Sequence, residues 1–211
     1  MTTRQFLLFT LTLLSGCAAT IEPPVTDPNM RPVFLLDHGR TSSLVLVSDN
    51  GSMTRYTYGE WLWYAKQQTG VRRAFAALFI PTTATLGRKD LNSPPTAANL
   101  RRQLAVEVAE LHCLAAQPQN VETLRHKLDA LFAQQRNSLI YNKNYDLEFV
   151  VHPQPYTLWH NSNHVVAAWL NELGFNVAGS PMLGAWRVVT SEDATRNRLA
   201  AGAFWQCYPG E

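Results

Sequence analysis

The stretch Tyr156-Thr-Leu-Trp-His-Asn-Ser-Asn-His-Val-Val-Ala-Ala-Trp-Leu-Asn-Glu-Leu-Gly174 decides the fold, because a loop here leads into an amphipathic helix. Asn161 or Ser162 can cap the start of this helix, and Gly174 can end it in a left-handed conformation. The residues expected to face the core share helical spacing: Ser162, Val166, Trp169 and Leu173. The pattern therefore places one polar side chain, that of Ser162, at the start of an otherwise apolar face.

Short apolar or alternating runs on both sides of this helix predict strands. The predicted strands are 33–36, 44–47, 55–58, 146–152, 176–178 and 185–190, while 85–91 is compatible with a strand or a loop. Asn50-Gly51 is the strongest two-residue signal for a hairpin turn. The sequence therefore predicts an α+β fold, with a small antiparallel sheet packed against helices.

Helical spacing of apolar residues predicts several further helices. They are 71–79, 98–116 and 121–135, with shorter ones at 60–65 and 191–203, before a terminal apolar segment at 204–208. Only a short connection separates 98–116 from 121–135, which favours an antiparallel helical hairpin. We expect one α+β domain over residues 33–211, with a helical-hairpin insertion at 92–140.

The N-terminus has the pattern of a lipoprotein signal peptide over residues 1–16. Arg4 precedes the apolar run 6–14, which is too short to span a bilayer, since a span needs about 20 residues. Leu14-Ser-Gly-Cys17 resembles the lipobox of bacterial lipoproteins, and that resemblance implies lipidation of Cys17 and cleavage before it. An ordinary signal peptide that happens to end near a cysteine is the alternative.

The residues after Cys17 bear on where the protein is held. Ala18 rather than Asp follows the lipidation site, which by resemblance implies the outer membrane. Four prolines lie in the stretch 18–32, which predicts a flexible tether over residues 17–32. The expected location is therefore the cell outer membrane, with the domain lipid-anchored and facing the periplasm.

Charge and motifs exclude several function classes. Of 18 basic residues, loss of Arg4 with the signal peptide leaves 17 against 16 acidic ones, so a nucleic-acid partner is not expected. The sequence has no phosphate-binding loop, dinucleotide fingerprint or zinc spacing, and we expect no cofactor and no metal. His160 and His164 are four residues apart, but the helix begins between them, which makes them a weak metal pair.

Two cysteines remain after lipidation of Cys17. In an oxidising periplasm Cys113 and Cys207 could form a disulfide, and they could equally be two separate buried thiols. The sequence leaves both possibilities open.

Two stretches together resemble a known family. His38-Gly-Arg-Thr-Ser-Ser-Leu-Val-Leu46 is similar to the His-Gly-Trp-His-Thr-Gly-Leu-Val-Leu motif of an uncharacterised family of bacterial membrane-associated proteins. The stretch 156–165 is similar to that family's later Tyr-x-Leu-x-x-x-Cys-Asn-x-Trp motif, and the aromatic segment 56–61 falls between the two. The family looks like a circularly permuted branch of the papain-like NlpC-type peptidases. The stretch 161–166 also resembles the Asn-Cys-Glu-His-Phe-Val box of the permuted lecithin retinol acyltransferases.

The resemblance covers roughly 33–64 and 145–190, and it implies a thiolate at a helix N-terminus answered by an imidazole on a neighbouring strand. This chain departs at both places: Ser162 stands at the cysteine position and Thr41 at the histidine position. His38 is the first candidate for a substitute base. Strict strand alternation puts it on the face opposite to Thr41, but a bend at Gly39 could bring it to the same face. Glu60 is a candidate to orient a histidine, with capping as its ordinary alternative role.

Three functions fit these observations. The first is a non-catalytic lipoprotein, a pseudoenzyme whose papain-like cleft serves binding or assembly at the cell envelope, as the loss of both Cys and His favours. The second is a serine-variant hydrolase or acyltransferase with Ser162 as nucleophile and His38 as base, acting on peptidoglycan amide or lipid ester bonds. The third is an unrelated structural envelope lipoprotein. The implied partners are the membrane, a peptidoglycan or lipid ligand, and an envelope protein.

Overall fold

The computed structural model describes residues 18–24, 28–67, 80–182 and 184–189. The predicted helices 71–79 and 191–203 and the terminal segment 204–208 lie outside these ranges. The described strands are β1 (Ala19–Glu22), β2 (Arg31–Asp37), β3 (Ser42–Val47), β4 (Met53–Glu60), β5 (Thr82–Leu91), β6 (Glu110–Ala116), β7 (Ile140–Asn142), β8 (Leu147–Tyr156), β9 (Asn176–Gly179) and β10 (Trp186–Val188). The described α-helices are α1 (Trp61–Tyr64), α2 (Ala97–Gln103), α3 (Pro118–Gln134) and α4 (Ser162–Glu172).

Seven strands form the main antiparallel sheet, in the order β6-β2-β3-β4-β5-β8-β7. Alternating side chains of these strands point to opposite faces. One face is covered by α3 and α4, which share a core with strand residues such as Leu44, Tyr56 and Val150. The other face carries a second core that includes Val45 and Leu100 of α2. The predicted α+β class with an antiparallel sheet is confirmed.

The hairpin predicted at Asn50-Gly51 is present between β3 and β4. Gly51 has a φ of +80°, a left-handed conformation that glycine adopts without steric cost. Its N–H donates to the Ser48 carbonyl at 3.0 Å, and the Ser48 N–H donates to the Ser52 carbonyl at 2.9 Å. This turn fixes the β3–β4 register, with Leu44 opposite Tyr56.

The prediction of a helical hairpin at 92–140 is wrong in its first half. The chain is helical only over α2, which Thr96 caps through its side chain, and β6 then adds to the sheet antiparallel to β2. Leu114 and Ala116 alternate inward into the core. Pairing along the open edge of β2 supplies backbone hydrogen bonds that local helical periodicity cannot anticipate.

The prediction of a flexible tether over 17–32 is also wrong for the part that the structure describes. Residues 19–22 form β1 of a second sheet, ordered β10-β1-β9, in which β1 pairs parallel with β10 and antiparallel with β9. Ala19 and Ile21 are fully buried. The prolines at 23 and 24 come only after this strand, so Ala19 and Ile21 are free to bury their side chains against the core.

Cys113 lies on β6 and is disulfide-bonded. Cys207 lies outside the described residues, so its pairing with Cys113 stays a prediction.

Candidate functional site

The N-terminus of α4 is capped by Asn161. Its Oδ1 accepts hydrogen bonds from the backbone N–H groups of Asn163 at 3.0 Å and His164 at 3.1 Å. Ser162 is therefore the first helical residue and not the cap. The predicted core-facing residues are all buried, with exposures of 2% for Ser162, 0% for Val166, 4% for Trp169 and 0% for Leu173. Gly174 has a φ of +96°, as its predicted helix-ending role requires.

Asn163 closes the space between α4 and the start of β3. The Ser42 hydroxyl donates to Asn163 Oδ1 at 2.9 Å and accepts from Trp186 Nε1 at 2.8 Å. Asn163 Nδ2 in turn donates to the Arg40 carbonyl at 3.1 Å and to the Met182 carbonyl at 3.4 Å. These buried polar groups satisfy one another, which is the normal condition for polar atoms in a protein interior.

The surroundings of the Ser162 hydroxyl decide whether it could act as a nucleophile. In the part of the chain that the structure describes, no histidine nitrogen is hydrogen-bonded to its hydroxyl. Because Ser42 points towards α4, strand alternation turns Thr41 and Ser43 to the opposite face. The Thr41 side chain instead interacts with that of Tyr64. The position where the resemblance expects a histidine therefore does not face Ser162.

His38 lies on the same face as Thr41 and Ser43, so the expectation from strand alternation that it would face away from Thr41 is wrong. Gly39, with a φ of +87°, bends the chain between them. The His38 Nδ1 donates to the Glu107 carbonyl at 2.8 Å, so its Nε2 is the acceptor, 2.9 Å from Ser43 Oγ and 3.2 Å from Arg55 Nη2. Burial first, and then the Arg55 charge, lowers the pKa of His38 to about 4. The structure thus does not bring together Ser162 and His38, the pair that a serine hydrolase would need.

Arg55 is a buried residue that the sequence did not single out. Only 3% of it is exposed, and burial lowers its pKa to about 10. Its Nε donates to Ser43 Oγ at 3.0 Å, but no carboxylate of the described residues forms an ion pair with it. Alternation along β4 is the signal that could have identified Arg55 as an inward-facing residue, since it shares a face of the strand with Thr57 and Gly59.

Glu60 has the capping role that was the alternative to orienting a histidine. Its Oε2 accepts from the Trp63 N–H at 2.6 Å, at the start of α1. No histidine in the described ranges is hydrogen-bonded to it.

Histidine and tyrosine rings cluster close to the α4 N-terminus. The ring centroid of Tyr58 lies 4.9 Å from that of His152, 5.3 Å from that of His160 and 6.0 Å from that of Tyr156. Burial lowers the pKa values of both histidines, which favours their neutral forms. The His160 Nε2 atom is buried without a hydrogen-bond partner. Within the described ranges no group of three or more His, Cys, Asp or Glu side chains is arranged to bind a metal.

An open cavity of about 260 Å³ lies at Gly184, the residue that also adjoins Asn163. Its lining residues are Asp37, Gly39, Glu110, Gly184, Ala185 and Trp186. Asp37 is only 7% exposed, and its Oδ1 accepts from the Gly39 N–H at 2.6 Å. Burial raises the pKa of Asp37, the Gly39 hydrogen bond lowers it, and the nearby Glu110 carboxylate raises it further. Two carboxylates facing one cavity favour a cationic group over an anionic one.

The cavity and the α4 N-terminus belong to one site. A Cβ on Gly184 would lie 3.4 Å from both Asn163 Nδ2 and Asp37 Oδ1, and the φ of +73° at Gly184 is one that glycine tolerates. The sequence contained a signal for this site: Ser42 lies two residues before Leu44, on the same strand face as the core.

No protein-family model, curated protein or solved structure matches the chain. The resemblance to permuted NlpC-type proteins therefore remains a hypothesis based on the motifs alone. None of the helices in the described ranges is both long enough and apolar enough to cross a bilayer.

Proposed function

We propose that the protein is a lipid-anchored outer-membrane protein, facing the periplasm, whose permuted papain-like cleft binds an envelope ligand without catalysis. The N-terminal pattern ending in Leu14-Ser-Gly-Cys17 supports the lipid anchor. An antiparallel sheet with α4 packed across β3 and β4 is compatible with a papain-like arrangement.

The observation that carries the non-catalytic proposal is that no histidine of the described residues is hydrogen-bonded to the Ser162 hydroxyl. A serine is a weak acid, and a helix dipole worth about 1 kcal/mol does not ionise it. It needs a base within about 3 Å. His38, the candidate base, instead bonds Ser43 and Glu107 on the other face of the sheet. The polar groups at the α4 N-terminus, which are Asn163 and its hydrogen-bond partners, therefore have a structural role: they join α4 to β3.

The cavity beside Asn163 narrows the choice of ligand. Peptidoglycan stem peptides and lipid acyl groups are the two classes that the resemblance implies. Asp37 and Glu110 make the cavity acidic and polar, which disfavours an acyl chain and favours an amine-bearing group. We therefore propose the stem peptide of peptidoglycan, bound through an amine.

Replacement of Glu110 by Gln tests this proposal. We expect binding to purified peptidoglycan sacculi, measured by co-sedimentation at low salt, to weaken about threefold, since one partly exposed ion pair contributes about 0.7 kcal/mol. Glu148→Gln is the matched control, because Glu148 is also an exposed strand glutamate but does not line the cavity. Equal binding by both variants and the wild type, or an equal loss in both variants, would contradict the proposal.

A further inference from the structure

We propose that the end of the molecule that carries the α4 N-terminus rests directly on the bilayer, with Trp159 and Ile80 at the lipid–water interface. The inference rests on the proposed lipidation of Cys17. It goes beyond it, because lipidation alone says nothing of how the domain is oriented or how far it lies from the membrane.

Almost no free chain separates the proposed lipidation site from the folded domain. The Ala19 N–H donates to the Ala185 carbonyl at 2.8 Å, and β1 continues from there between β9 and β10. Gly179 packs so closely on the chain that a Cβ there would lie 2.6 Å from the Ala18 carbonyl oxygen. Consecutive Cα atoms are about 3.8 Å apart, so the Cα of Cys17 is held within roughly 8 Å of that of Ala19.

The chain leaves the fold at the same end as the cleft. The Ala185 carbonyl accepts from the Ala19 N–H, and the nearby Met182 carbonyl accepts from Asn163 in the first turn of α4. The Thr157–His160 turn immediately precedes this helix. A lipid on Cys17 therefore brings this turn close to the membrane surface.

This end exposes large apolar side chains. Trp159 is 72% exposed and Ile80 is 62% exposed, and they flank the pair Thr82–Tyr156 at which the β5–β8 ladder ends. Tyr141, the third large hydrophobic residue exposed in the described ranges, lies on β7 near the start of β8, with its hydroxyl donating to Asp146.

Tryptophan favours the headgroup level of a bilayer, where its apolar ring and polar N–H are both accommodated. Arg40, in the turn between β2 and β3 at the same end, is exposed and can meet anionic headgroups. The anchor point, an exposed indole and an exposed aliphatic side chain thus occupy one end. Arg40 is offset there by Glu110 of the cavity, so the apolar side chains and the anchor, not net charge, carry the proposal. Together they fit a lipid surface.

Two measurements on the full lipidated protein test whether this end of the molecule rests on the bilayer. Incorporation of radiolabelled palmitate in cells, and its loss in Cys17→Ala, reports the anchor. In vesicles of phosphatidylethanolamine and phosphatidylglycerol, the emission of Trp159 is obtained as the difference between the wild type and Trp159→Phe. We expect phospholipids brominated near the headgroup to quench this emission.

The wild type is compared with a variant that has a longer chain between the lipid and the domain. A glycine–serine insertion of about 30 residues between Cys17 and Ala18 gives roughly 30 Å of free reach and should let the domain leave the surface. We expect aqueous iodide to quench Trp159 about threefold less in the wild type than in the insertion variant, because the membrane-seated indole is shielded at the headgroup level. Tyr141→Trp in the Trp159→Phe background moves the indole to the other end, and there iodide should quench it fully.

These measurements distinguish failure of the proposed membrane contact from failure of the proposed lipidation. Equal iodide quenching of Trp159 in the wild type and the insertion variant, with palmitate incorporated, overturns the membrane contact and leaves the lipoprotein proposal intact. Absence of palmitate overturns the lipoprotein proposal, and the membrane contact falls with it.

Discussion

Trp169→Ala is expected to lower the free energy of unfolding by about 3–5 kcal/mol, the usual cost of deleting a buried tryptophan side chain. Trp169 is 4% exposed and belongs to the core that joins α4 to the sheet. A small domain is stable by only about 5–15 kcal/mol, so the variant should be close to unfolding. Urea titration followed by far-ultraviolet circular dichroism measures the change.

Trp159→Ala is the matched control for that experiment. It removes the same side chain from a position 72% exposed, and we expect a change within about 0.5 kcal/mol in the absence of membranes. A loss below about 1 kcal/mol in Trp169→Ala would contradict the packing of α4 against the sheet, since core truncations of this size cost more.

Acid is expected to destabilise the fold through His38. Its pKa is about 4 in the folded protein and 6.5 as a free side chain, so between these values the unfolded chain binds a proton that the folded chain does not. Stability from this group is therefore complete above pH 6.5 and declines as the pH falls towards 4. The linked free energy is at most about 3.4 kcal/mol, at 1.36 kcal/mol per pKa unit.

The His38 contribution can be isolated by comparing the wild type with His38→Asn at pH 7.5 and pH 4.5. The asparagine Nδ2 can still donate to the Glu107 carbonyl, but it does not titrate. The raised pKa of Asp37 has the opposite effect, stabilising the fold as the pH falls, and it cancels in the comparison. We expect the wild type to lose about 2–3 kcal/mol more than the variant over this range. Parallel pH profiles would show that His38 is not held neutral by the fold.

Most of the fold around α4 was predictable because the signals there are local. The spacing of Val166, Trp169 and Leu173 identified the buried face, Gly174 the helix end, and Asn50-Gly51 the hairpin. Each depends on residues within a few positions of one another. Side-chain periodicity is sufficient for such elements.

The errors occurred where distant segments decide the structure. Residues 110–116 have helical spacing, yet they form β6 because the edge of β2 was open. Residues 19–22 adjoin several prolines, yet they form β1 because β9 and β10, more than 150 positions further along the chain, leave a gap between them. Neither partner is visible in the local sequence.

The prediction of the site depended on which residue at the start of β3 faces α4. Alignment with the motif put Thr41 opposite Ser162, but the residue that faces α4 is Ser42. A shift of one residue along a strand reverses the face. The sequence predicted that Ser162 is buried, but the pairing of Asn163 with Ser42, and not of Ser162 with His38, needed the three-dimensional register.

Labelling of the full, lipidated protein with a fluorophosphonate probe tests most directly whether the cleft is catalytic. No histidine of the described residues is hydrogen-bonded to the Ser162 hydroxyl, so we expect labelling of the wild type at pH 7.5 to be indistinguishable from that of Ser162→Ala. Stoichiometric labelling of the wild type that disappears in Ser162→Ala would contradict the account and identify Ser162 as a nucleophile.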